Sequence, residues 1–188
     1  MKEIEILVEV YDDIEKVRKA LSFCNHVGVN KTIDEYYYDP KRSDLKPDDN
    51  NKIYNCLRLR EKSGKYFITY KNDIYDGDKW VYSNEYETKI ESIDVLKEIF
   101  DKLGLVKFIT IDNEKETYTF DKYEIVVESV KDLGLFMEVE YSTDLDVDVN
   151  SIKREIQDFI DSLKLNVSSE LNMGKPELYL KKHNIIVE

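Results

Sequence analysis

Three pairs of carboxylates, Glu3/Glu5, Glu85/Glu87 and Glu138/Glu140, each stand two residues apart in segments that alternate apolar and polar residues. Period-two alternation makes each segment a strand and puts both members of a pair on one face. From Glu3 to Val10 the alternation is unbroken: Glu3, Glu5, Leu7 and Glu9 face one way, and Ile4, Ile6, Val8 and Val10 the other. Cations come from alternating strands of their own. In Leu57-Arg58-Leu59-Arg60 both guanidiniums share a face, and further on Phe67, Thr69 and Lys71 do. Carboxylate oxygens are hard ligands suited to Mg²⁺ or Mn²⁺, and arginine forks onto phosphate oxygens. Gathered on one inner surface, the two kinds of group suit a metal-chelated polyphosphate. The alternative is a purely structural network of ion pairs, but buried pairs add little net stability.

The remaining elements must place these strands. Asp12 and Asp13 offer an N-cap to a helix over residues 13–24, whose buried face is Ile14, Val17, Leu21 and Cys24. Gly28–Tyr38 reads as a strand stopped by Asp39-Pro40, and residues 40–52, rich in charge and proline, as a mobile loop. Lys62–Lys65 turns the first arginine strand into Tyr66–Lys71. Asp73–Lys79 is another loop, and its Asp76-Gly77-Asp78 lacks the rest of a calcium-loop spacing, so it reads as a turn. Trp80–Ile90 carries the second acidic pair. Ser92 caps a helix through Leu103, with Ile93, Leu96, Ile99, Phe100 and Leu103 as its buried stripe and Gly104 as its C-cap. Strands Phe108–Asn113, Lys115–Phe120, Tyr123–Val130 and Phe136–Tyr141 follow. Asn150 caps a helix through Leu163, buried through Ile152, Ile156, Phe159 and Ile160, and Pro176 at the first helical position starts a last helix ending near His183.

Helices interspersed among hairpins make an α+β fold with a large antiparallel sheet. Such a sheet with a charged face avoids exposed edges by closing into a barrel, with helices outside on the β-branched face and the charged face lining a tunnel. No linker divides the chain, so residues 1–188 are expected to form one domain. A net charge of -12 argues against a nucleic-acid binder, since phosphate backbones need a basic footprint. No apolar run is long enough for a membrane span. The two cysteines, Cys24 and Cys56, form neither a disulfide framework nor a zinc pattern and point to buried thiols in a reducing cytoplasm. His26 and His183 lie far from the charged strands and are not nominated as bases.

The ordered set of Glu3/Glu5, Leu57-Arg58-Leu59-Arg60, Thr69-Tyr70-Lys71, Glu85/Glu87 and Leu133-Gly134-Leu135-Phe136-Met137-Glu138-Val139-Glu140 resembles the CYTH family, also called triphosphate tunnel metalloenzymes. That family contains class IV adenylyl cyclases, thiamine triphosphatases and inorganic triphosphatases. The resemblance implies a closed eight-stranded antiparallel barrel with Mg²⁺ or Mn²⁺ on its acidic wall. It implies Arg58, Arg60, Lys71 and Lys115 as phosphate ligands and Glu3, Glu5, Glu128, Glu138 and Glu140 as metal ligands. Glu85 and Glu87 would bind metal or orient the arginines. The substrate would be ATP, thiamine triphosphate or tripolyphosphate, and a homodimer is among the assemblies considered.

Departures are specific. The family's Glu-x-Glu-x-Lys has Leu7 at its third place, Ser83 replaces an arginine ahead of the middle pair, and Asn113 replaces the first basic group of the Lys-x-Arg-x-x-Tyr segment, whose second is Lys115. Glu128 stands where aspartate is usual, and a Ser-Tyr-x-Glu-Leu-Leu-like element survives only within Gly174–Tyr179. The layout of Gly28–Asp39 and Gly174–Tyr179 is closer to the cyclase branch, so cyclisation of ATP to cyclic AMP and pyrophosphate is the first expectation and triphosphate hydrolysis the second. A non-catalytic nucleotide or polyphosphate binder is the third, because three usually basic positions are neutral.

Overall fold

Leu7 lies opposite Glu138, and Glu5 opposite Glu140, on adjacent antiparallel strands β1 (Lys2–Glu9) and β8 (Gly134–Thr143). Residues directly opposite share a face of the sheet, so register alone brings the first and third acidic pairs together. The computed structural model, which describes residues 1–187, extends this logic around a full circle. Between β1 and β8 in sequence lie β2 (Asn25–Tyr38), β3 (Asn55–Lys62), β4 (Lys65–Asp76), β5 (Lys79–Ile90), β6 (Val106–Phe120) and β7 (Tyr123–Val130). They close into one antiparallel barrel in the order β1-β5-β4-β3-β2-β6-β7-β8. Lys71 sits opposite Glu85 and Thr69 opposite Glu87, Asp34 opposite Arg60, and Lys115 opposite Glu128. The expected eight-stranded α+β barrel is the observed one.

Four helices accompany it: α1 (Ile14–Ala20), α2 (Ile93–Leu103), α3 (Val149–Ser162) and α4 (Lys175–His183). None is long and apolar enough to cross a membrane. The β-branched face of β1 is core as its pattern requires: Ile4, Ile6 and Val8 pack with Val139, Ile125 and the buried α3 residues Ile152, Ile156 and Ile160. Local boundaries differ from the sequence expectations for simple reasons. Asp148, not Asn150, caps α3, its carboxylate accepting from the N–H groups of Asn150 and Ser151. Residues 106–120 form one strand rather than two, because pairing with both β2 and β7 runs unbroken through Glu114. Residues 73–76 extend β4, leaving only a tight turn before β5. In α2 only Phe100 is buried, whereas Ile99 and Leu103, expected in the buried stripe, are exposed.

The fourth helix does something the sequence pattern did not show. Leu7 belongs to the lumen-facing row of β1, yet it is buried with Tyr36, Ile109, Ile111, Phe136 and Leu180 of α4 in a second apolar cluster. This cluster fills one end of the barrel, and α4 lies over it. The helix start is fixed by the buried Glu177, whose carboxylate accepts from the N–H of Ile53 at 2.9 Å and from the N–H of Gly174. A leucine in the lumen row is therefore accounted for by packing. Truncating the fully buried Leu180 to alanine should cost about 2–5 kcal/mol, read as a lowered midpoint of denaturant unfolding. A loss below about 1 kcal/mol would show that α4 does not seal the barrel.

Candidate active site

Beyond that plug the lumen opens into a cavity of about 940 Å³ lined by the charged rows of the strands. Glu3, Glu5 and Glu140 each direct a carboxylate oxygen to within 4.8 Å of the others. Burial pushes Glu3 up to about 9 against the pull of Lys71, and Glu140, Glu85 and Glu5 add repulsion. For Glu5 burial again dominates, raising it to about 8 despite Lys71, with Glu138 and Glu140 repelling it. Burial also raises Glu140. Three hard oxygen donors crowded and partly desolvated in this way fit a small divalent cation, which would replace protons as the compensating charge. They are the residues here that suit such an ion.

Cations face this acidic wall. Lys71 Nζ lies 3.1 Å from Glu3 and 3.0 Å from Glu5, and 5.2 Å from the ring centre of Trp80. Arg58 donates to Thr69 at 3.1 Å and to Glu87 at 3.3 Å, with Glu85 3.7 Å away. Burial tends to raise the Glu85 carboxyl, but Arg58 and then Lys71 hold it below its ordinary value. Glu85 and Glu87 thus orient Arg58. Arg60 forms a forked pair with buried Asp34, at 2.6 and 2.7 Å. Asp34 would be raised by burial; the Arg60 charge and its hydrogen bonds bring it well below the usual carboxylate range. Lys115 reaches Glu128 at 2.9 Å, and burial, with Arg60 nearby, lowers its own pKa.

Glu128 and Glu138, expected among the metal ligands, both contact a cation from outside the barrel strands. Lys175, the first residue of α4, places Nζ 2.9 Å from Glu128 and 2.6 Å from Glu138. Because Glu138 is the strand neighbour of Leu7, α4 supplies an ammonium beside the place where β1 carries a leucine. Burial opposes the charge on Lys175, but Glu128 and Glu138 raise its pKa overall. Ser83 is absorbed into a hydrogen-bonded link, accepting from Trp80 Nε1 at 3.0 Å and donating to Asp73 at 2.6 Å. Asn113 accepts from the Thr32 hydroxyl. Arg58 Nε, Asn113 Nδ2 and Glu128 Oε2 are buried without a hydrogen-bond partner, which leaves donors and an acceptor for a bound molecule.

Sequence reasoning missed Asp34 and Asp73, and no spacing singles out Lys175 over Lys89 or Lys181 as the lysine that makes up for a missing basic group. Asp34 was signalled by the alternation of Thr32, Asp34 and Tyr36 in one strand. Lys175 had no such signal, since a single lysine opening a short helix carries no period. Outside the barrel, His26 contacts Glu116 at 3.2 Å and the His183 ring packs at a tilt against Tyr179.

The CYTH domain pattern matches residues 1–172. A Methanocaldococcus jannaschii protein named "putative adenylate cyclase" is 31% identical over 183 residues, covering 96% of this chain and 99% of that protein. A solved Pyrococcus horikoshii structure superposes with a TM-score of 0.74 at 25% identity, over 95% of this chain and 99% of that one. A Hippeastrum protein titled a putative adenylyl cyclase with a dominant triphosphatase activity aligns over 100% of this chain and 98% of its own, with a TM-score of 0.65 at 13% identity, a likeness of fold alone.

The carboxylate shifts set a pH dependence. Glu3 and Glu5 have raised folded pKa values, so the folded state holds more protons than the unfolded one between the ordinary carboxylate value and about 8–9. Stability must then fall as pH rises through that window. The melting temperature of the chelator-treated protein should drop between about pH 5 and pH 8, and Mn²⁺ should restore it. A melting temperature that rises over the same range would contradict the arrangement.

Proposed function

The chain belongs to the CYTH family, and on that premise we propose that it is a metal-dependent enzyme acting on a small triphosphate, in the first place ATP, which it converts to cyclic AMP and pyrophosphate. The observation that carries this reading is the juxtaposition in one cavity of the Glu3/Glu5/Glu140 cluster with Arg58, Arg60, Lys71, Lys115 and Lys175. Glu3, Glu5 and Glu140 would hold Mg²⁺ or Mn²⁺, which neutralises charge on phosphate oxygens when bound. Arg58 and Arg60, held in place by Glu87 and Asp34, would grip the phosphates in forked geometry. Lys71, in contact with Glu3 and Glu5, would donate to a phosphate oxygen beside the metal ligands. Lys115 and Lys175, tethered by Glu128, add charge toward the closed end, with Glu138 fixing Lys175 beside the carboxylate cluster.

In cyclisation the ribose 3′-hydroxyl oxygen forms a bond to the α-phosphorus as the bond from that phosphorus to the α–β bridging oxygen breaks; the hydroxyl proton passes to solvent and pyrophosphate leaves. In hydrolysis, the second reading, water instead attacks the terminal phosphorus, the bond from that phosphorus to its bridging oxygen breaks, and orthophosphate is released with the proton passing to solvent. It is favoured by one feature: the groups named here address phosphate and metal, so any triphosphate that enters is gripped. The cyclase reading is favoured by the 31% identical relative and its name. The two free cysteines suit a cytoplasmic setting.

The discriminating assay incubates the protein with Mn²⁺ and, separately, ATP, thiamine triphosphate and tripolyphosphate, following cyclic AMP, pyrophosphate and phosphate. Cyclic AMP from ATP is the expected product. Phosphate release alone would select the hydrolase. No turnover, with triphosphate still raising the melting temperature, would select a binding module. A charge-assisted phosphate contact is worth about 1.5–3 kcal/mol, so Arg58→Ala should lower kcat/KM by roughly tenfold to a hundredfold. Lys175→Met should also lower it, and Leu7→Lys in that background should recover part of the loss. Full turnover in the Arg58→Ala, Lys175→Met double variant would place the chemistry elsewhere.

A further inference from the structure

The charged chamber is only part of the cavity. On the side of the plug its wall is formed by Leu7, Tyr36, Ile53, Cys56, Trp80 and Pro176, so one continuous space joins a charged half to a largely apolar one. Its volume of about 940 Å³ is in the range that encloses a whole organic ligand, and a triphosphate addresses only the charged half.

One carboxylate at the junction of the two halves has no task among the phosphate and metal ligands. Asp73 lines the cavity one step beyond Lys71 in the lumen row of β4. Register fixes its distance from the acidic wall: Asp73 lies opposite Ser83, and Ser83 opposite Glu3, on three neighbouring strands. Adjacent strands stand about 4.8 Å apart, so the backbones of Asp73 and Glu3 are separated by about 10 Å. That leaves room between their side chains for a phosphorus and the oxygen that attacks it. Asp73 Oδ1 accepts from the Ser83 hydroxyl at 2.6 Å, and Ser83 in turn accepts from Trp80 Nε1 at 3.0 Å. The carboxylate is thereby oriented, while its Oδ2 makes no hydrogen bond among the described residues. Burial raises the Asp73 carboxyl above its ordinary value, against the pull of Lys71 and the Ser83 hydrogen bond, and Glu85 adds repulsion. The other proton acceptors at this end are occupied or unsuited. Glu177 accepts from two backbone N–H groups, and burial pushes the Cys56 thiol up to about 12.

On the premise that the protein is an adenylyl cyclase, we propose that the nucleoside end of ATP lies in the apolar half beside Trp80, with Asp73 as the catalytic residue that takes the proton of the ribose 3′-hydroxyl. The 3′-oxygen bonds to the α-phosphorus as its proton passes to Asp73 Oδ2. The bond from that phosphorus to the bridging oxygen breaks, its electron pair leaves with pyrophosphate, and Asp73 then gives the proton to solvent. Tripolyphosphate brings neither a ring nor a ribose hydroxyl, so it leaves this half unused.

Trp80 is the chain's one tryptophan, which supplies a readout that needs no turnover. With Mn²⁺ present and binding followed by calorimetry, saturating α,β-methylene-ATP should change the Trp80 emission more than saturating tripolyphosphate does. Equal responses, or none to the bound nucleotide, would overturn the placement. Asp73→Asn, which keeps an acceptor for Ser83, should lower kcat for cyclic AMP by roughly a hundredfold or more, with KM for ATP and the affinity for tripolyphosphate little changed. Asp73→Glu, which keeps a carboxylate, should retain more turnover than Asp73→Asn; circular dichroism confirms that both are folded. A folded Asp73→Asn that makes cyclic AMP at the wild-type rate would overturn the proposal and leave the cyclase reading standing. So would one that loses tripolyphosphate binding in step with turnover, the mark of a merely structural carboxylate. A wild type that binds the nucleotide yet makes no cyclic AMP would instead sink the cyclase reading, and the proton transfer with it.

Discussion

Carboxyl groups crowded together and withdrawn from water are the constraint on which this molecule turns. Glu3, Glu5 and Glu140 are brought within 4.8 Å of one another by the pairing of β1 with β8, and the closed barrel gives them no route to relax apart. Their repulsion is offset from across the lumen, by Lys71 at 3.0–3.1 Å from two of them. The rest of the site repeats the theme at lower tension. Asp34 neutralises Arg60, Glu85 and Glu87 flank Arg58, and Glu128 with Glu138 holds Lys175. A cavity that holds both signs of charge with carboxylates in excess, and that retains orphaned polar atoms, is suited to a ligand that carries both signs, such as a metal-bound triphosphate.

Closure also explains why the lumen is not uniform. The same row of β1 passes from Glu3 and Glu5, in the charged chamber, to Leu7, in the apolar plug. One residue step along a lumen-facing row is about 7 Å, two residues at about 3.3–3.4 Å each, so a single strand spans the boundary between the two environments. The plug is completed by α4, and the same short helix delivers Lys175 back into the charged chamber. Loss of a basic residue from β1 and gain of one from α4 are in this sense one packing solution: leucine seals the end, and lysine enters past the seal.

Much of this was legible beforehand because alternation is a strong signal. Glu3/Glu5, Arg58/Arg60 and Lys71 were assigned a common inner surface from period two alone, and the barrel brings them together. Isolated contacts were not legible. Asp34 alternates with Thr32 and Tyr36 but has no second acid on its face to form a pair, and Lys175 depends on where α4 docks, which no local pattern encodes. The α2 stripe was misjudged for a different reason. A helical period identifies apolar positions but does not say which face meets the protein, and with apolar residues on both faces Ile99 and Leu103 were assigned inward although the barrel claims only Phe100. Ser83 and Asn113 read as lost cations, whereas in place they are hydrogen-bonded to Asp73 and Thr32.

The most direct measurement is anomalous diffraction at the manganese edge from crystals grown with Mn²⁺ and tripolyphosphate. The expected map has a manganese peak bounded by Glu3, Glu5 and Glu140, with phosphate density running from it toward Arg58 and Arg60. Manganese and phosphate bound on the outer wall of the barrel, with the lumen carboxylates still engaged only by Lys71, would contradict the account.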